Sequence, residues 1–257
     1  MSTFERIPNL DNKVAVVVGA AGHVGFATCY RLATLGAKVY CISRSNIDEL
    51  ESKVATFPNY EKLKHKVIQA DITNSETLKN AVKIIAEENN QCHVLINAAG
   101  LTSSIKPDQL DQLTDTIFDE IITTNLRGVF STIREFAPML KKAGDSVIIN
   151  ISSTASLRAS QSNVAYSAAK AGLNIMTQTL AKSLAPEIRI LSIVPGFLTH
   201  PTSGGIKSAQ FNDFAASSSP LKRIGDTEDI VNTIESCILS IRFATGSIFV
   251  VDGGRTL

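Results

Sequence analysis

The segment that most limits what this chain can become is a short apolar run followed at once by spaced glycines and then by helical periodicity. Residues 13–18 are a short run that is rich in valine and apolar after Lys13, and Gly19, Gly22 and Gly25 follow at three-residue intervals. Residues 26–35 then place apolar side chains at the helical period until Gly36 stops them. This is strand, glycine turn, helix, and residues 38–42 supply a second apolar strand that completes a βαβ unit. Glycines at such a turn permit close backbone approach, and the free N–H groups opening the helix favour an anionic pyrophosphate. Taken alone, the turn is equally well a plain strand-to-helix connection.

The alternation continues along the chain. Helical periodicity is expected over 48–57, 75–88, 118–142, 166–184 and 227–239, and strands over 66–70, 93–97, 146–151, 188–194 and 247–251. Strands this apolar predict a sheet covered on both faces, an α/β architecture. With 257 residues and 44% hydrophobic content the chain can bury that core as one domain, taken as 1–257. Residues 200–219, rich in serine and without strong periodicity, are expected to form a mobile substrate loop, the alternative being surface disorder.

Charge and composition exclude several partners. The formal charge is +1, with 25 basic against 24 acidic residues and no basic run longer than Lys141-Lys142, so neither nucleic acid nor an anionic membrane is expected as a ligand. A small molecule is. The apolar runs fall short of the ~20 residues of a membrane span, and the segment Met1 to Arg6 lacks a signal-peptide core, so a soluble cytoplasmic protein is expected. Cys29, Cys41, Cys92 and Cys237 are far apart in apolar patterns and read as reduced core thiols. His23, His65, His93 and His200 are equally scattered, so the chemistry is expected to be metal-free.

Candidate chemistry centres on Tyr166-Ser167-Ala168-Ala169-Lys170. Four-residue spacing puts the phenol and the ammonium on one helix face, where a nearby cation favours the phenolate and lowers the tyrosine pKa, making the pair a candidate general acid/base. After the second strand comes Ser43-Arg44-Ser45. A dinucleotide site carries a carboxylate there for the adenosine ribose or an arginine for a 2′-phosphate, so Arg44 favours NADP(H), with NAD(H) as the alternative. Asn125 lies inside a helical stretch, where asparagine competes for backbone groups, and this invites a functional reading.

Together the glycine turn, the Asp71-Ile72-Thr73 turn, Asn97-Ala98-Ala99-Gly100, Asn125, Ser153, Tyr166 with Lys170, Pro195-Gly196, residues 220–225 and the closing 245–254 resemble the short-chain dehydrogenase/reductase family, in the single-domain branch of the 3-oxoacyl carrier-protein reductases. The resemblance spans essentially the whole chain. It implies a Rossmann-like doubly wound sheet of about seven parallel strands with helices on both faces, binding a nicotinamide dinucleotide at the carboxyl ends of its strands. It further implies an oxidoreductase in which Tyr166 exchanges a proton with the reacting oxygen of a carbonyl or alcohol. Lys170 would then lower the tyrosine pKa and hold the nicotinamide ribose, Ser153 would hydrogen-bond the substrate oxygen, and Asn125 would support a water relay to Lys170. The implied cofactor contacts are Gly19, Gly22, His23, Val24, Gly25, Ser43, Arg44, Ser45, Asp71, Ile72, Asn97, Ala98, Gly100, Tyr166, Lys170, Pro195, Gly196 and Leu198.

The chain departs from that branch in places. Val18 stands for the usual Thr, His23 for the second glycine, Ala98 for the usual Asn, and His200 where a Thr often contacts the carboxamide. The spacing of Gly19, Gly22 and Gly25 is that of the extended branch of epimerases and dehydratases. His23 either donates to a cofactor phosphate or faces solvent. A pteridine-reductase-like enzyme is the close rival, on the short 184–189 connection, the non-glycine at 23 and residues 252–257, and Ser153 argues against it because that subgroup tends to carry Asp there. A non-catalytic dinucleotide sensor is a third reading, one that would not need Ser153, Tyr166 and Lys170. Small apolar residues such as Ala168, Ala171 and Gly172 predict packing between subunits, as a homotetramer or else a dimer.

Overall fold

A computed structural model describes residues 9–159, 162–199 and 209–257. The valine-rich run forms β1 (Val14–Val18), and six further strands follow: β2 (Lys38–Ser43), β3 (Lys66–Gln69), β4 (Val94–Asn97), β5 (Ser146–Ile151), β6 (Ile188–Pro195) and β7 (Ile248–Val251). They make one parallel sheet in the order β3-β2-β1-β4-β5-β6-β7. Because β1 pairs with both β2 and β4, the chain reverses its direction of travel across the sheet there, and the carboxyl ends of these strands frame a crevice.

Nine helices among the described residues connect the strands: α1 (His23–Thr34), α2 (Ile47–Val54), α3 (Tyr60–Leu63), α4 (Ser75–Glu88), α5 (Asp115–Ile122), α6 (Val129–Ala143), α7 (Val164–Leu184), α8 (Ala209–Ser217) and α9 (Thr227–Leu239). Alternation along β1 sorts them into two layers. Ala15 and Val17 pack with Leu32 of α1, Leu50 of α2 and Ile234 of α9. Val16 and Val18 pack with Leu78 of α4, Phe136 of α6 and Leu173 of α7. The sheet is therefore covered on both faces, and strand interiors such as Ile96, Ile148 and Ile190 are fully buried. Arg31 ties α1 to α9 through Glu228, Glu235 and Asn232. All four cysteines are buried free thiols. Among the described residues no helix is long and apolar enough to cross a membrane.

Three stretches differ from the sequence expectation. The helix expected over 48–57 ends at Val54, and the short α3 follows. The continuous helix expected over 118–142 is interrupted by a π-helical turn, Thr123–Gly128. Asn125 lies within that turn, and its side-chain amide donates to the Ile121 carbonyl one turn earlier at 2.9 Å. Of the expected loop 200–219, residues 209–217 form α8, while residues 200–208, including His200, lie outside the described residues.

At the amino ends of the strands two buried histidines extend the ladders. His65 and His93 each precede a strand, and their Nδ1 atoms accept the backbone N–H of Val39 and Val14, both at 3.1 Å. The His65 Nε2–H in turn donates to the Pro58 carbonyl at 3.1 Å. Burial lowers both pKa values, with Lys13 adding to the effect at His93 and Asp145 opposing it. A folded-state pKa below the unfolded value of ~6.5 means that unfolding takes up a proton once the pH falls below that value. The stabilisation is therefore complete above about pH 6.5 and is lost as pH falls through the depressed folded values, at up to ~1.4 kcal/mol per pH unit for each histidine. Urea midpoints measured at pH 7.5 and 5.5 (about one unit either side of the unfolded pKa) should fall on acidification, and less so in His65→Gln/His93→Gln. A midpoint indifferent to pH contradicts this assignment.

Candidate active site

The crevice at the β1/β4 reversal is a cleft of about 320 Å³. Its walls come from the carboxyl ends of four strands: Gly19 and Gly22 after β1, Ser43 to Ser45 from the end of β2, Asp71 and Ile72 after β3, and Ala98 to Leu101 after β4. Gly19 has φ +86°, and a Cβ there would stand 2.4 Å from the Ala99 nitrogen, so the β1 and β4 connections touch backbone to backbone. A Cβ on Gly25 would lie 2.1 Å from the Gly19 carbonyl oxygen, which explains the glycine one turn into α1. Helix α1 has no acidic residue in its first turn, and it begins without a side-chain cap, unlike α4, α5, α7 and α9, which Asn74, Thr114, Asn163 and Asp226 cap. An uncapped helix end over a glycine cradle fits an anionic pyrophosphate.

Several expected contacts line this cleft, and others are used elsewhere. Ser43 is present in the wall, but its hydroxyl donates to the Ser45 carbonyl at 2.8 Å. Arg44 is exposed, with Nη1 3.9 Å from Asp71, a loose pair that leaves the guanidinium free to turn to a ligand. Asp71 Oδ1 accepts from the Thr73 N–H and hydroxyl, which shapes the turn after β3. Asn97 does not present its side chain to the cleft. Its amide donates to Asn150, which donates to Thr177, and the Asn97 Oδ1 is buried without a partner. His23 lines an adjoining recess with Phe26, Glu49 and Lys53, which shares Ala21, Gly22 and Asn46 with the cleft, while Val24 packs against the core. Pro195 ends β6, the Gly196 N–H donates to Val251, and Leu198 bridges to Gly225.

Past the Gly100 end of the cleft stand the side chains singled out for proton transfer. The Ser153 hydroxyl accepts the Ala155 N–H at 3.2 Å and hydrogen-bonds the Tyr166 phenol. Lys170 is buried, its Nζ donating to the Ile151 carbonyl at 2.8 Å and lying 5.7 Å from the Tyr166 ring centre. A Cβ on Gly100 would meet Asn125 Oδ1 at 3.0 Å and Lys170 Nζ at 3.7 Å, so both atoms face one side of Gly100. The Asn125 amide also donates to the Leu101 carbonyl at 2.6 Å.

One electrostatic expectation is corrected. Burial raises the Tyr166 pKa, and the counteracting influence is the Ser153 hydrogen bond rather than the Lys170 charge. The lysine pays for its own burial, its pKa falling to about 8, and its ammonium is directed to the Ile151 carbonyl.

Three supporting residues went unrecognised in the sequence. Asn163 caps α7 by accepting the Tyr166 N–H at 2.8 Å and donates to Ser103, tying the tyrosine's helix to the loop after β4. An Asn just before an apolar-periodic run is a cap signal and could have been read. Asn174 accepts from Ser192 of β6 and donates to Ser156, both at 2.8 Å, while Ser156 donates to the Ser153 carbonyl at 2.5 Å. Asn174 and Ser192 thus brace the turn that carries Ser153, a link no local pattern announces.

A doubly wound parallel sheet with a glycine cradle at its point of reversal is a Rossmann-like scaffold. Residues 19–256 match the family model described as Enoyl-(Acyl carrier protein) reductase. The 3-oxoacyl-(acyl-carrier-protein) reductase FabG of Thermotoga maritima is 30% identical over 252 residues, covering 96% of this chain and 99% of that protein. FabG of Staphylococcus epidermidis is 30% identical over 250 residues, with 95% and 98% covered. A crystal structure from Burkholderia xenovorans assigned to the short-chain dehydrogenases/reductases superposes with a TM-score of 0.85 at 26% identity, covering 95% of this chain and 97% of that one. The chain belongs to the short-chain dehydrogenase/reductase family, whose oxidoreductases use a nicotinamide dinucleotide.

Proposed function

We propose that this protein reduces a ketone or aldehyde with NADPH, or runs the reverse alcohol oxidation, as a single domain over residues 1–257. The observation that carries the reading is the Ser153–Tyr166–Lys170 group at the Gly100 end of the cleft, and the names of the relatives support a ketone as the acceptor. The dinucleotide, when bound, supplies the hydride that reaches the carbonyl carbon. Tyr166 gives its proton to the carbonyl oxygen, and burial keeps the phenol protonated for that role. Ser153, its lone pair engaged by Ala155, donates toward the oxygen on which charge develops. Lys170 has two donors beyond the one given to Ile151, suited to ribose hydroxyls and to a water reaching Asn125 Oδ1.

Arg44 supports NADP(H) because it stands in the cleft wall with only a loose partner. Arg44→Ala should weaken NADPH binding by about tenfold and leave NADH binding nearly unchanged. Equilibrium titrations of both dinucleotides check this, followed by turnover on ketones, aldehydes, 3-oxoacyl thioesters and dihydropterin. Tighter NADH than NADPH binding in the unaltered protein removes the cofactor assignment, and turnover of dihydropterin alone favours the pteridine-reductase reading.

A homotetramer, or else a dimer, is proposed on the exposed apolar residues Phe118 of α5, Phe130 of α6 and Ile175 of α7. Gly172 is not part of that reasoning, since a Cβ there would meet Leu126 of its own chain at 3.2 Å. Sedimentation velocity at micromolar concentration should show the assembly, and a monomer would refute it.

A further inference from the structure

The π-helical turn Thr123–Gly128 carries a hydroxyl for which the chain supplies no partner. Thr124 is 8% exposed, and its Oγ1 is buried without a hydrogen bond. Threonines within helices commonly return the hydroxyl to the carbonyl four residues back, as Thr28, Thr132, Thr177 and Thr233 do. Thr124 does not. Burying an unpaired hydroxyl is costly, so an orphan of this kind in the wall of a cleft points to a ligand that answers it. Asn97 Oδ1 and Arg189 Nε are the other orphaned side-chain atoms among the described residues. Asn97 is turned into the interior and Arg189 stands near the amino end of β6, whereas Thr124 lines the cleft together with Ile72 and Leu101.

The place of Thr124 in the cleft separates it from the proton-transfer group. Gly128, four residues on and so on nearly the same side of the turn, lies against the connection after β3, where a Cβ would stand 2.8 Å from the Ile72 side chain. Arg127 holds that connection too, donating to the Thr73 carbonyl at 3.0 Å. Thr124 therefore belongs to the wall after β3, where Arg44 and Asp71 meet loosely at 3.9 Å. Asn125, one residue on, turns instead to Leu101 and Gly100, the end at which Lys170 stands. Around Thr124 the cleft is walled by Ala70, Ile72, Ala98 and Ala99, apolar surfaces that suit a flat base with a few polar groups to orient it.

We propose that the Thr124 hydroxyl hydrogen-bonds the adenosine of the dinucleotide, holding the half of the cofactor that does not react. A hydroxyl both donates and accepts, so the base or its ribose can satisfy it. The contact rests on the reading of this cleft as the dinucleotide site. It has a cost in the ligand-free protein, which carries the unpaired hydroxyl until the cofactor arrives, and this gives affinity and stability opposite dependences on one oxygen atom.

The test uses Thr124→Val, which keeps the shape and removes the hydroxyl, and Thr124→Ser, which keeps the hydroxyl. Calorimetry measures two ligands on each: the oxidised dinucleotide that binds the unaltered protein more tightly, and the same molecule without its nicotinamide, ADP-ribose or its 2′-phosphate. Thr124→Val should weaken both ligands by about fivefold, while Thr124→Ser stays within about twofold of the unaltered protein. The melting temperature without ligand should move the other way in Thr124→Val, rising by roughly 2–4 °C for a domain of this size. Affinity that Thr124→Val leaves unchanged overturns the contact, as does a loss shared equally by Thr124→Ser. A loss seen with the dinucleotide but absent with ADP-ribose puts the contact on the nicotinamide half and overturns it as well. If affinity and ligand-free melting temperature fall together in Thr124→Val, the side chain is structural and the proposal is lost. Should neither dinucleotide bind the unaltered protein, the reading of the cleft itself fails and takes the contact with it, an outcome distinct from binding that ignores the substitution.

Discussion

Tyr166→Phe is expected to lower kcat/KM for carbonyl reduction by about 10²–10⁴, the usual contribution of a placed general acid, while NADPH affinity and melting temperature stay close to those of the unaltered protein. Phenylalanine keeps the ring that α7 presents beside Lys170 and removes only the oxygen that Ser153 hydrogen-bonds. The loss should fall on kcat more than on KM, because the proton is needed in the transition state rather than for binding. A pH profile adds a second check. Lys170, with its pKa drawn down to about 8 by burial, is cationic at neutral pH and loses its charge as pH rises through that value. The reductive rate should therefore decline above about pH 8, over a range in which the raised Tyr166 pKa keeps the phenol protonated. Unchanged turnover in Tyr166→Phe would end the assignment.

Much of the scaffold was legible because its signals are local. The β1 valines, the glycines after them and the spacing to β2 each follow from period and turn chemistry, and the sheet assembles from repeating that unit. Tyr166 and Lys170 were legible for the same reason, being one helical turn apart. What sequence could not give depends on contacts across the fold. Within the π-helical turn Thr123–Gly128 one asparagine amide reaches both the Ile121 and Leu101 carbonyls, and the second of these lies in a loop after a different strand. The side chain of Asn97, a residue the family resemblance places at the cofactor, is drawn into the interior by its neighbours on β5 and α7, Asn150 and Thr177. The direction of the Tyr166 pKa shift was missed for a related reason, since burial and the aim of the Lys170 ammonium at Ile151 are tertiary facts. Helix α8 lacks strong periodicity, and its Phe214 instead reaches the Arg255 guanidinium near the far end of the chain.

The glycine turn gives the other large expected effect. Gly19→Ala places a methyl group 2.4 Å from the Ala99 nitrogen and 2.7 Å from the Ala98 carbonyl carbon, both backbone atoms in a connection held by the β1–β4 pairing. Its φ of +86° adds the cost of a left-handed conformation for a residue with a Cβ, roughly 1–2 kcal/mol. Overpacking and backbone strain together should destabilise the fold by about 3 kcal/mol or more, lowering the melting temperature by roughly 6–12 °C for a domain of this size. Dinucleotide binding should suffer with it, because parting the β1 and β4 connections moves two walls of the cleft. Gly144 provides the control. It too has a positive φ, +72°, but a Cβ there would meet nothing within 4 Å, so Gly144→Ala carries the conformational cost alone. The gap between the two melting temperatures measures the contact itself. If both variants melt together and both bind NADPH like the unaltered protein, the β1 turn has room for a side chain, and close backbone approach is not what holds Gly19 in the cleft.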